Sequence, residues 1–259
     1  MRDYRHFLFF TEHIEADRLF LDAGETRHAV AMLRRAKGDP FIATDGQGTV
    51  YECRVESIAR QRCIGLIVGR TAIPRHPCSL HMLVGLPDRA AFETLIGDLT
   101  ALGVSRITPL VCRYCQVGWW ERSAGSGKLS DRFRSKMLAA LKQSLYPHLP
   151  RLDPPLPFEA ISSAFSGNCL VADPAPGLQH FSEALDAMRN QSPSFTCLVG
   201  PPGGLAPEES AVLKTLGAVF VKLAPTRLTT ELAAAVLAGG IIGARCTEAL
   251  LPVFPGTAA

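Results

Sequence analysis

Two stretches of the chain place residues whose backbone could grip a ligand. In Val199-Gly200-Pro201-Pro202-Gly203-Gly204 three glycines fall within five residues, and without a Cβ their peptide groups can approach a bound molecule closely. Pro207, Glu208 and Glu209 follow. A proline at the first helical position with acids in the first turn starts a helix, and those acids disfavour an anion there, which argues against a phosphate ligand. The second stretch, Leu223-Ala224-Pro225-Thr226-Arg227-Leu228-Thr229-Thr230-Glu231, ends an apolar run and offers a hydroxyl pair able to cap the next helix. Taken alone, each stretch is more often a tight turn than a ligand site.

Two further groupings carry chemistry. Cys112 and Cys115 form a C-x-x-C. A structural zinc site wants a second such pair or a Cys/His pair nearby, and the nearest candidates, Cys78 and His148, do not supply that spacing. No metal is therefore assigned, and small residues at a strand end are preferred to a thiol or zinc module. Residues 106–151 carry Arg106, Arg113, Arg122, Lys128, Arg132, Arg134, Lys136, Lys142 and Arg151 against only Glu121 and Asp131, although the whole chain is only +3. Tyr114, Trp119, Trp120, Phe133 and Tyr146 are interleaved. This mixture suits a phosphate backbone and unstacked bases; it also describes a solvated helix face with Trp119 and Trp120 packed into an interface.

Other motifs fail on context. Gly125-Ser126-Gly127-Lys128 lacks the first glycine of a phosphate-binding loop, has Leu129 after the lysine and no apolar strand before it, so it reads as a flexible loop. No G-x-S-x-G, H-E-x-x-H or dinucleotide-type glycine motif follows a strand. With 47% hydrophobic and 20% charged residues, disorder, a coiled coil and a collagen-like rod are excluded. The uncharged run Leu232 to Ala244 is well below the roughly 18 residues that suggest a membrane span and predicts a buried helix. No export signal is visible at the N-terminus, so a cytoplasmic protein with reduced thiols is expected.

The elements that must position these groups fall into two sets. Residues 1–75 contain short apolar runs, Phe7 to Phe10, Pro40 to Ala43, Thr49 to Val55 and Cys63 to Val68, with a hairpin signal at Asp45-Gly46-Gln47-Gly48. A helix is predicted over Glu25 to Arg35. The set reads as a small β-barrel-like domain, with Pro74-Arg75-His76-Pro77 as linker. From residue 79 strands and helices alternate: strands at 79–85, 106–111, 169–172, 195–199 and 218–223, and helices at 88–102, 130–145, near 178–189, from Pro207 and from Thr230. That rhythm calls for a mostly parallel sheet covered on both faces, with ligands beyond the carboxyl ends of its strands.

The order of these pieces resembles the RsmE family of SPOUT-class RNA methyltransferases over essentially the whole chain. Gly24-Glu25-Thr26-Arg27-His28, then Met32-Leu33-Arg34 and Lys37-Gly38-Asp39, is similar to the family's small-domain stretch. Leu102-Gly103-Val104 with Ile107, Pro109 and Leu110, and Lys142-Gln143-Ser144, match large-domain segments. Gly200-Pro201-Pro202-Gly203-Gly204 with Pro207-Glu208-Glu209 resembles GPEGGFSPEE, and Leu228-Thr229-Thr230-Glu231-Leu232-Ala233 resembles LRTETA.

The resemblance implies an α/β protein: a PUA-like β-barrel RNA-binding domain at 1–75 and a SPOUT domain with a C-terminal trefoil knot at 76–259. It implies a homodimer that uses S-adenosyl-L-methionine to methylate N3 of a uridine in small-subunit rRNA, free or in a ribosomal particle, without a membrane. Val199, Gly200, Pro201, Gly203, Gly204, Leu223, Ala224, Leu228, Thr229 and Thr230 would bind the cofactor, and His28 and Arg34 the RNA. The chain departs from the pattern at side chains: Pro202 replaces a glutamate, Thr226 and Thr229 replace arginines, and Leu232 replaces a threonine. Arg227, one position from the arginine lost at Thr226, is the remaining catalytic candidate. The opposing reading is an RNA-binding paralog that keeps the knotted scaffold without methyl transfer.

Overall fold

The computed structural model describes residues 7–59, 62–123 and 127–245; Gly125 and Ser126 of the glycine-lysine stretch lie outside them. Contacts divide the described chain into two units, residues 7–75 with 138–149, and residues 76–137 with 150–245.

The first unit is a curled six-stranded sheet in the order β1-β4-β5-β6-β3-β2. Its strands are β1 (Leu8–Phe10), β2 (Ile14–Glu15), β3 (Arg18–Leu21), β4 (Pro40–Thr44), β5 (Thr49–Ala59) and β6 (Arg62–Ala72). All neighbours are antiparallel except β1 and β4. Alternate residues turn Phe9, Leu19, Leu21, Phe41, Cys53 and Val55 into one core, the period of two that a half-buried strand requires. A second cluster joins Leu8, Ile42, Val50 and Ile73 to Leu141, Leu145 and Leu149, which is why residues 138–149 group with this unit. Gly48, at φ +105°, has no room for a side chain, because a Cβ there would strike the His148 ring.

The helix predicted over Glu25 to Arg35 is shorter and starts earlier. The Asp22 side chain accepts from Glu25 N at 2.8 Å, so the cap opens α1 (Ala23–Arg27) ahead of the apolar pattern. The backbone then widens over His28–Met32: Leu33 N donates to His28 O at 3.1 Å and Arg35 N to Ala29 O at 3.0 Å. Arg34, at φ +53°, ends the turn.

The second unit is built on a parallel sheet, β10-β8-β7-β12-β11-β13, with β9 also beside β8. These strands are β7 (Ser79–Gly85), β8 (Arg106–Val111), β9 (Arg151–Leu152), β10 (Leu156–Pro157), β11 (Asn168–Ala172), β12 (Ser194–Val199) and β13 (Val219–Val221). The central strands are buried almost continuously, as at Phe195, Thr196, Cys197, Leu198 and Val199, because helices cover both faces. On one side α7 (Thr230–Arg245) packs on β7 and β12, and α2 (Arg89–Ala101) packs on α7. Asp88 caps α2, and Phe92, Leu95, Ile96 and Leu99 form its inward stripe. Each such side chain stabilises the fold by about 1.5–3 kcal/mol when fully buried. The opposite face gathers Leu83, Leu110, Val171 and Leu198 under Phe158, Ile161 and Leu213, the last from α6 (Pro207–Thr215). The remaining helices are α3 (Gly118–Ser123), α4 (Lys128–Ser144) and α5 (Phe181–Ala187). Among the described residues no helix is long and apolar enough to cross a membrane.

A polar chain links β7, β8 and the segment after β9. Thr108 Oγ1 donates to Asp153 Oδ2 at 2.5 Å, His81 Nε2 hydrogen bonds to Thr108 Oγ1 at 2.8 Å, and Arg106 and Arg151 pair with Asp153. Burial, with Arg106 nearby, holds the His81 pKa down at about 4. Burial works against the Asp153 charge, but the Thr108 hydrogen bond and the two arginines outweigh it and keep the carboxyl below its ordinary range. Unfolded histidine titrates near 6.5, so between about 6.5 and 4 the unfolded chain takes up a proton the folded chain refuses. Stability therefore rises with pH across that window and is lost as pH falls through it. The Asp153 contribution is present above the unfolded carboxylate pKa, about 3.9, and is lost as pH falls through its lower folded value. In urea titrations over about pH 3 to 7, His81→Gln is expected to flatten the upper leg and Asp153→Asn only the lower one. An unchanged slope above pH 4 in His81→Gln would refute this account.

Candidate active site

The carboxyl ends of β11, β12 and β13 open on a cavity of about 480 Å³, within the range of small-molecule sites. Its walls come from Ala172 at the end of β11 with residues 173–174 beyond it, the loop after β12, the loop after β13 into α7, and the α2 cap Asp88 with Ala91. The strand order places these ends side by side, as the general rule for open parallel sheets requires.

Two hydrogen bonds tie the glycine loop to the threonine loop. Thr230 Oγ1 donates to Gly200 O at 3.0 Å, and Arg227 Nη2 donates to Pro202 O at 2.9 Å. Within the glycine loop Gly204 N donates to Pro201 O at 2.7 Å, with Gly204 at φ +79°, a conformation glycine adopts without cost. Gly85, the last residue of β7, meets this loop directly: a Cβ there would run into Pro201 N and Cδ. From the other side Glu209, only 7% exposed, accepts from Ala206 N and from Arg113 N, both at 2.8 Å. Tyr114 lies against Gly203, 2.7 Å from where a Cβ would sit.

The charges on the lining are Asp88, Asp173 and Glu231 against Lys222 and Arg227. Asp88 Oδ1 accepts from Ala90 N and Ala91 N, and Asp173 Oδ1 accepts from Ala175 N at 2.8 Å, so both carboxylates are held in place. Small and apolar residues such as Ala172, Val199, Leu205, Leu223 and Ala224 form the rest of the wall. An excess of acids over an apolar, backbone-rich floor suits a flat ligand with a cationic centre better than an anion.

Val199, Gly200, Pro201, Gly204, Leu223, Ala224, Leu228, Thr229 and Thr230 all line the cavity, as does Arg227. Gly203 does not line it and instead faces Tyr114. His28 and Arg34 lie in the first unit; the His28 ring stands 5.6 Å from that of Phe9, and Arg34 is exposed. Sequence reasoning missed Asp88, Asp173 and Lys222. The rule that ligands sit past strand ends could have found Asp173, the first residue after β11.

The basic stretch is not one bare patch. Arg132 forks onto Glu93, Arg106 and Arg151 meet Asp153, Lys142 pairs with Glu25, and Arg113 stands 3.8 Å from Glu208. Trp119, Trp120 and Phe133 pack around Phe92 with ring centroids 5.2–6.3 Å apart, and Trp119 Nε1 donates to Pro87 O at 2.9 Å. The packed reading of the tryptophans therefore holds in place of a stacking platform.

A family model for the RNA methyltransferase domain matches residues 74–242. The chain belongs to the RNA methyltransferase domain family. It is 29% identical over 225 residues to the ribosomal RNA small subunit methyltransferase E of Mycobacterium bovis, covering 85% of this chain and 84% of that protein. It is 24% identical over 228 residues to the Aquifex aeolicus protein of the same name, covering 87% and 94%. Among solved structures, ribosomal RNA small subunit methyltransferase E from Neisseria gonorrhoeae, bound to S-adenosyl methionine, superposes with a TM-score of 0.78 at 18% identity. The match covers 92% of this chain and 97% of that one. The resemblance to the RsmE family and the expected SPOUT-class α/β fold are borne out.

In this RNA methyltransferase fold the wall between β7 and the glycine loop has no slack. Gly85→Ala is expected to lower stability by about 1–3 kcal/mol, the usual cost of overpacking, read from the urea midpoint. Amide exchange should speed up over residues 200–204, and unchanged exchange there would contradict the close approach.

Proposed function

We propose that the protein is an S-adenosylmethionine-dependent methyltransferase that modifies N3 of a uridine in small-subunit rRNA. The observation that carries this reading is the cavity itself: two loops with the family's spacing meet at the strand ends and enclose an apolar, acid-rimmed space. The relatives named as ribosomal RNA small subunit methyltransferases run along most of the chain, which supports the same substrate class. A chain that kept only the scaffold would have no reason to keep this space open, which weighs against the silent paralog.

The residues present fit the cofactor. Gly200 and Gly204 leave peptide groups bare where an adenosine would lie, Leu205, Leu223 and Leu228 supply apolar surface, and Asp88, Asp173 and Glu231 favour a cationic ligand. When bound, S-adenosylmethionine supplies an electrophilic methyl group on a sulfonium. Before it can accept the methyl, the substrate N3 gives up its proton to solvent, which leaves negative charge on the uracil ring until the new bond forms. Arg227 is the candidate that stabilises that charge. It lies on the cavity wall, exposed, with one of its N–H groups donated to Pro202 O. Thr230 holds the two loops in register, and Thr229 Oγ1 accepts from Leu232 N at 3.4 Å in the first turn of α7.

In this reading residues 1–75, with which 138–149 group, form a PUA-like RNA-binding domain in which His28 and Arg34 contact the substrate, and the rest of 76–259 forms the SPOUT domain with its trefoil knot. The protein works as a homodimer in the cytoplasm, on rRNA or a ribosomal particle. Leu232 and Val236, exposed one turn apart on α7, supply apolar surface for a second copy.

Calorimetry should detect S-adenosylmethionine binding, and labelled methyl should enter small-subunit RNA. Gly200→Val is expected to abolish binding by filling the floor of the cavity. Arg227→Ala should lower kcat by about 10²- to 10³-fold, as loss of one charge-stabilising donor does, with cofactor affinity little changed. RNA retention without cofactor binding or methyl transfer would overturn the proposal.

A further inference from the structure

We propose that Cys112 and Cys115 are a reversible redox couple whose closure to a disulfide loosens the glycine loop of the cofactor site; the effect on the cofactor rests on the function proposed above. The two residues open and close the turn that follows β8, where Cys115 N donates to Cys112 O at 3.1 Å. The ends of a turn closed by that bond lie within about 7 Å at Cα, close to the separation a disulfide spans, about 4.4–6.8 Å. The Cys115 sulfur already lies against the Cys112 backbone: Cys112 N donates to Cys115 Sγ at 3.2 Å. The side chains are therefore in reach without large backbone travel.

Their environments assign different roles. Cys115 is partly exposed, and its thiol pKa is held below the ordinary value by the Cys112 hydrogen bond, against the effect of burial. Cys112 is buried, and its pKa is pushed up by the same hydrogen bond and by burial. Cys115 is thus the sulfur a peroxide reaches as thiolate, and Cys112 the one that resolves it. The Cys115 thiolate attacks hydrogen peroxide, forming sulfenic acid and releasing hydroxide. The Cys112 sulfur then attacks the sulfenic sulfur, forming the disulfide; water leaves with the Cys112 proton. Two thiols and one peroxide give one disulfide and two waters. Among the described residues no group of three or more potential ligands could hold a metal, so nothing in them competes for the pair as a metal site.

The two residues between the cysteines brace the cofactor site. Arg113 N donates to Glu209, which also holds Ala206 N, and Tyr114 packs on Gly203. Closing the disulfide removes the Cys112 N to Cys115 Sγ hydrogen bond and the one from Cys115 Sγ to Leu110 O. A small readjustment of the turn carrying Arg113 and Tyr114 follows, and it weakens the outer support of the Gly200–Ala206 segment.

The test uses the whole protein, reduced with dithiothreitol and then treated with hydrogen peroxide. Alkylation and peptide mass spectrometry should show Cys112 joined to Cys115, two hydrogens lighter and restored by dithiothreitol. Amide exchange over residues 200–206 should accelerate on oxidation, and S-adenosylmethionine affinity should fall roughly tenfold, a normal size for coupling between sites. Cys115→Ser should remove all three responses. Sulfinic acid on Cys115 without a link, or a link that leaves exchange over 200–206 unchanged, would overturn the proposal. Failure of the reduced protein to bind S-adenosylmethionine would instead overturn the proposed function, while linkage and exchange still decide the redox couple.

Discussion

The bond from the Thr230 hydroxyl to the Gly200 carbonyl fixes where two otherwise independent loops meet. One loop follows β12 and the other leads from β13 into α7. They become neighbours because β11 lies between β12 and β13 in a parallel sheet, so all three strands end at the same edge. Around that bond the rest of the site is a matter of clearance. Gly85 brings β7 up to Pro201, Tyr114 closes on Gly203, and the Glu209 carboxylate fastens the start of α6 to the turn after β8. A buried carboxylate with both oxygens bonded to peptide N–H groups gains charge-assisted hydrogen bonds that offset its desolvation. That is why an acid persists at a position only 7% exposed.

This construction explains how the site tolerates change in its side chains. The family pattern loses a glutamate at Pro202 and arginines at Thr226 and Thr229, yet all three positions still line an open cavity. A wall made of peptide groups depends on φ, ψ and the absence of a Cβ, and those properties are carried by Gly200, Gly204 and Gly85. A site built from ionic side chains would have lost its shape along with them.

The alternation of strands and helices after residue 79 was legible because parallel strands buried on both faces must be runs of apolar residues, and β7, β8, β11, β12 and β13 each lead into a helix. The cavity's two main loops were legible for the same reason, since they occupy strand ends. The helix at Glu25 to Arg35 was misjudged because hydrophobic spacing does not register the Asp22 cap or the widened backbone at His28–Met32. Short strands such as β2, β9 and β10 escaped because pairs of residues carry no period. Gly203 was assigned to the cofactor by resemblance to the family's motif, and a motif does not say which neighbour a glycine admits; here it is Tyr114.

Charge was the least readable property, because pairing is a matter of space and not of sequence. The cations of residues 106–151 find their partners at Glu25, Glu93, Asp153 and Glu208, all outside that stretch. Half-exposed pairs of this kind contribute little to stability, typically up to about 1 kcal/mol each, but they remove most of the apparent excess. The same folding-back uses the aromatics: with Trp119, Trp120 and Phe133 engaged around Phe92, their rings serve the packing of α2, α3 and α4. An RNA surface inferred from a linear run of arginines and tryptophans must therefore be sought again among the cations the fold leaves unpaired. At the cavity lip Arg227 donates to Pro202 O and lines the space between the two loops.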